Sequence, residues 1–292
     1  MRIPTLEGDE AFCAGHAVLL DRNHRIGVRG LPRPSPRPSP LLFALCLLGA
    51  VFVAPPANAQ TNYSELPARD AYHTCLAEAR RDPDAGFEAA IAWRDEGGGP
   101  PAQHCVALAL FDLGQFKESA TRLEALAADM PTATAREKSA IVGQAGSVWL
   151  HVGDLTRAHT ALSYALDLDG NDPEIWIDRG DALARGGEYW DAIDDFSAAL
   201  DRDEKRLDAL IFRAAAYRLL EVPDLARDDI LRALDLDPYN PDALMELGAI
   251  QAGVGEFDAA RANWLRVLSI APGSRSAAAA RSALQQMDVK AE

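Results

Sequence analysis

An all-α solenoid of stacked helix pairs is the fold the sequence predicts, and three observations predict it. One phrase returns every thirty-four residues: "LSYALDLDGNDPEIWIDRG" from Leu162, "FSAALDRDEKRLDALIFRA" from Phe196 and "ILRALDLDPYNPDALMELG" from Ile230. Within it, small and apolar residues recur in steps of four and three, the spacing of one helix face. Glycine and proline fall at constant places between these runs, where helices turn and stop. One helix pair cannot bury its own apolar face, but a stack of pairs can.

The columns of the frame justify each element. Ala158, Ala192, Ala226 and Ala260 share one position of the second helix, which lets two helices approach closely. Four residues on stand Leu162, Phe196, Ile230 and Trp264, large enough to fill the space beside them. The first helix carries Gly146, Gly180, Ala214 and Gly248 in a second small column. Gly153, Gly187, Glu221 and Gly255 mark the turn between the helices, where glycine takes positive φ readily. Leu155, Tyr189, Pro223 and Phe257 open the second helix, and Pro238 and Pro272 close repeats.

This pattern resembles the tetratricopeptide repeat (TPR), a thirty-four-residue helix–turn–helix. One unit carries the resemblance on Trp176, Gly180, Gly187, Tyr189, Ala192, Phe196 and Ala199; the last carries it on Leu244, Leu247, Gly248, Gly255, Phe257, Ala260, Trp264 and Pro272. Four units run in register over 139–172, 173–206, 207–240 and 241–274. The resemblance implies a right-handed superhelix whose first helices line a concave wall.

Upstream the match loosens. Residues 101–133 fit a divergent unit with Gly114, Phe116, Leu123 and Pro131 in place and Ser119 where the frame wants alanine. Five further residues separate it from the next unit. Residues 60–100 read as a degenerate helix pair, Asp70–Arg81 and Pro83–Asp95, with His73 in the small-residue column. Residues 275–292 read as a capping helix and tail, the expected polar end of a stack.

Residues 1–59 are excluded from the fold. "LLFALCLLGAVFV" from Leu41 is a short uncharged apolar run, preceded by Arg29, Arg33 and Arg37 and followed by "ANA" at Ala57–Ala59. Basic flank, apolar run and small-x-small site are the parts of a cleavable signal peptide. Export to the periplasm is therefore expected, with cleavage after Ala59 and no membrane span afterwards. Residues 1–27 fit a misassigned start. The chain has 292 residues, a net charge of −15, 48% hydrophobic and 25% charged residues. Such acidity argues against nonspecific binding to nucleic acid or anionic membrane.

Export leaves Cys75 and Cys105 as an even pair, for which a disulfide is the default in an oxidising compartment. Zinc is the competing reading, with His73 and His104 as the other ligands, and two free buried thiols are the third. His73 and Cys75 lie two residues apart, so on a helix they point about 200° apart. The strings "LDLD" and "DRDE" recur at second-helix ends and read as solvated turns rather than calcium ligands. No Walker, HExxH, GxSxG or GxGxxG motif sits in a fitting context, so no cofactor is expected.

The resemblance also implies a peptide groove. Carried onto this chain, its inward positions are Gln144, Ser147 and His151, then Ile177, Asp178, Asp181 and Arg185, then Ile211, Phe212, Ala215 and Arg218, then Met245, Glu246 and Ala249. The lysines and asparagines of the carboxylate-clamp subfamily are missing here. Acids beside apolar groups fit a protein or peptide partner that is basic and hydrophobic. The competing reading takes these positions as solvated helix faces. A noncatalytic scaffold in the periplasm is the function expected. The alternative is an accessory or regulatory subunit of an envelope enzyme or assembly machine.

Overall fold

The structure is a computed structural model, and it describes residues 65–291, with side chains over 70–289. The leader, its apolar run and the cleavage site lie outside the described residues. Thirteen helices are described, with no strand among them. They pair as α1 (Glu65–Arg81) with α2 (Pro83–Asp95), α3 (Gly99–Asp112) with α4 (Phe116–Ala128), and α5 (Ala135–Val152) with α6 (Leu155–Leu168). Next come α7 (Pro173–Arg185) with α8 (Tyr189–Arg202), α9 (Leu207–Leu219) with α10 (Pro223–Leu236), and α11 (Pro241–Gly253) with α12 (Phe257–Ile270). The unpaired α13 (Arg275–Ala291) closes the stack.

Local chemistry sets the boundaries. Asp82, Asp154, Asp172 and Asn240 cap helix N-termini by accepting backbone N–H bonds, and Thr134 with Glu137 forms a full capping box. That box starts α5 early, which is where the five extra residues go. The inter-helix glycines Gly114, Gly153, Gly187 and Gly255 take φ between +74° and +85°, and Glu221 occupies the same turn at +59°.

The small columns face the large ones. A Cβ added at Gly146 would lie 2.5 Å from Leu162 Cγ, and one at Gly180 would lie 2.6 Å from Phe196 Cε1. Gly248 is closed in the same way by the Trp264 indole. Ala158, Ala192, Ala226 and Ala260 are all fully buried. Overlapping apolar clusters run along the stack, so each pair is covered by the next.

Successive first helices also touch: α1 with α3, α5 with α7, α7 with α9, α9 with α11, and α11 with α13. Second helices make no comparable mutual packing. The stack is therefore tighter on the first-helix side, which makes that side its inner wall. At the N-terminal end a disulfide joins Cys75 on α1 to Cys105 on α3, with Cα atoms 6.4 Å apart. No helix among the described residues is long and apolar enough to cross a membrane.

Candidate functional site: the first-helix wall

Each step between successive first helices carries a polar bridge. From α1 to α3, the Tyr72 hydroxyl meets His104 Nδ1 at 2.6 Å. From α3 to α5, His104 Nε2 meets Gln144 Oε1 at 2.6 Å. From α5 to α7, the Ser147 hydroxyl donates to Asp178, and Arg185 donates to the Leu150 carbonyl at 2.9 Å. From α7 to α9, Arg206 at the start of α9 holds both Glu174 and Asp208. From α9 to α11, Arg218 donates to Glu246 at 2.5 Å. From α11 to α13, Ser276 donates to Asp242.

This ladder corrects the role expected for several wall residues. Asp178 and Asp181 are 1% and 3% exposed, so they present almost no charged surface to a partner. Asp181 pairs with Arg185 one turn on, at 3.0 Å. Glu246 is tied to Arg218, and Gln144 and Ser147 each bridge to a neighbouring helix. Ile177 is fully buried in the central core and gives the wall no surface. Phe212 and Met245 are partly buried: Phe212 packs toward Phe196 at 5.8 Å between ring centroids, and Met245 borders the C-terminal core. Ala249, one turn on from Met245 in α11, is partly exposed. The polar residues face inward because a helix pair leaves one flank of its first helix uncovered. The next first helix then meets that flank edge to edge, where paired polar groups satisfy each other.

Burial tunes the ladder. The His104 imidazole is held below its ordinary value, chiefly by burial, against the raising effect of the Gln144 hydrogen bond. With both ring nitrogens bonded, the neutral ring donates from Nε2 to Gln144 and accepts at Nδ1 from Tyr72. Burial pushes the Tyr72 phenol up to about 12. Glu174 is raised by burial and by the nearby Asp178, while Arg206 pulls it back. No group of His, Cys, Asp and Glu able to hold a metal ion occurs among the described residues.

A second device was missed by the sequence reading. Arg179 on α7 grips Asp195 on α8 through two bonds of 2.7 Å and reaches Ser163 on α6 at 3.3 Å. One repeat later Arg213, Asp229 and Ser197 do the same, at 2.7, 2.7 and 2.9 Å. Each bracket ties a first helix to the second helices on either side. Its signal was present: the three residue types recur at the same thirty-four-residue interval, in charged columns rather than apolar ones.

The tetratricopeptide repeat family model matches residues 150–206, which cover the turn after α5, the whole of α6 to α8, and Arg206. Those helices carry the glycine turns and the small-against-large packing described above. The chain contains tetratricopeptide repeats. A thermophilic TPR protein of Thermus thermophilus is similar over 62% of this chain and 98% of its own, at 18% identity and a TM-score of 0.50. The MamA protein is similar over 58% of this chain and 90% of its own, at 18% identity and a TM-score of 0.51. The Cut9–Hcn1 complex matches over 77% of this chain at 16% identity and a TM-score of 0.58, and there the match spans 46% of the other chain. These likenesses show the fold. No curated protein matches the sequence.

Proposed function

We propose that the protein is a noncatalytic scaffold of the periplasm that holds a partner protein or peptide along its first-helix wall. The observation that carries this reading is the ladder itself. It fixes seven first helices into one continuous wall and leaves Phe212, Met245 and Ala249 partly exposed along it. A preorganised wall lowers the ordering cost of binding. Carboxylates outnumber basic groups over the chain as a whole, whose net charge is −15. That surplus favours a basic partner, with apolar side chains as anchors. The periplasmic setting rests on the leader in the sequence.

Site-specific photocrosslinking in cells tests the wall. A crosslinker at Ala249 should capture a discrete partner, and one at the exposed Asp201 on α8 should not. Adducts from Asp201 with none from Ala249 would move the binding surface to the other wall. N-terminal sequencing of the mature protein tests export: a chain still beginning upstream of Leu41 would sink it.

A further inference from the structure

Between α4 and α6 the second-helix wall opens into a cleft of about 410 Å³, within the ~300–1,000 Å³ of small ligand sites. Ala127, Val142 and Ala161 line its floor, with Glu124 and Tyr164 at its rim. The repeat frame explains the opening. In the next unit the matching space holds the Arg179 bracket. One repeat back from Arg179 stands Ala145, and one repeat back from Asp195 stands Ala161. The third member, Ser163, corresponds to Glu124 across the five extra residues. The cleft is thus a bracket site without the bracket's own arginine and with a carboxylate moved to the opposite helix, and Arg157 of α6 lines its edge.

Charge at the rim points the same way. Arg157 is paired with Asp154 at 3.6 Å and lies over the Trp149 ring at 4.5 Å. Glu124 accepts a bond from Trp149 Nε1 at 2.8 Å and makes no ion pair among the described residues. Glu124 lines a cleft whose counterparts in the next two units hold the arginine of a bracket.

We propose that this cleft receives an arginine side chain of a partner protein, its stem on the alanine and valine floor and its guanidinium on Glu124. The assignment concerns the wall opposite to the one in the proposed function and stands whether or not that reading holds. A planar guanidinium offers several donors to a carboxylate, whereas an ammonium is a hydrated point charge. The site should therefore prefer arginine to lysine.

The test uses the purified protein and the peptide acetyl-Gly-Arg-Gly-amide, followed by NMR at Ala127, Ala161 and Tyr164. Saturable shifts at those residues are expected, absent with the citrulline peptide and weaker with the lysine peptide. Glu124→Gln keeps an acceptor for Trp149 and removes the charge. It should weaken binding about fivefold, the upper end for a partly exposed ion pair. Ala145→Arg with Ala161→Asp rebuilds the bracket from within and should abolish the shifts. If that double variant does not fold, Glu124→Gln decides alone. No saturable shift at the cleft, or an equal response from Glu124→Gln, overturns the proposal.

Discussion

Arg213 and Asp229 face each other as a fork and a carboxylate, with both bonds at 2.7 Å, and Arg179 and Asp195 repeat that geometry one unit earlier. The two brackets differ in one respect. Asp229 also accepts from Arg232 at 3.2 Å, whereas Arg179 is the ion-pair partner of Asp195. Asp195 is 5% exposed at its side chain, so removing its partner strands a buried charge. Arg179→Ala should destabilise by about 3 kcal/mol, and Arg213→Ala by less. Urea unfolding compares them. An equal loss in both would show that Arg232 contributes nothing to holding Asp229.

Glu221 sits in the turn where the other repeats place glycine, at φ +59°. The left-handed conformation costs a side-chain-bearing residue about 1–2 kcal/mol, part of which glycine gives back through its looser unfolded chain. Glu221→Gly should raise stability by about 0.5–1 kcal/mol. A lower melting temperature would mean that the Glu221 side chain makes a stabilising contact.

Gly180 and Phe196 are matched in size. Gly180→Ala drives a methyl into the Phe196 ring and should cost about 1–3 kcal/mol, as overpacking does. One repeat on, the same two positions hold Ala214 and Ile230, both fully buried. Adding Phe196→Ile to Gly180→Ala should therefore restore part of the loss. Calorimetry of the single and double variants checks the coupling.

His104 makes the first three first helices sensitive to acid. Its folded value lies below the ordinary 6.5, so the fold binds the neutral ring better than the charged one. Stability from this group is fully present above 6.5 and is lost as pH falls from there through the lower folded value. The opening free energy of α1 and α3, read from hydrogen exchange corrected for the intrinsic pH dependence of the amide rate, should fall as pH drops below about 6.5. His104→Gln should flatten that dependence. An unchanged pH profile in the variant would assign the acid sensitivity elsewhere.

The sequence by itself determined the fold, because packing in a repeat is local. Each small residue meets a large one in the same unit, so columns such as Gly180 against Phe196 are legible as spacing. The Cys75–Cys105 bond was legible for a related reason: two first helices one unit apart must be neighbours. The roles of Asp178, Asp181, Glu246 and Ile177 were not legible. Spacing places a side chain on a flank of its helix, but only the angle between successive pairs decides whether that flank is covered. The structure sets that angle so that adjacent first helices touch. Residues read as a surface for a partner then become bridges between repeats, since a buried polar group must find its mate within the protein.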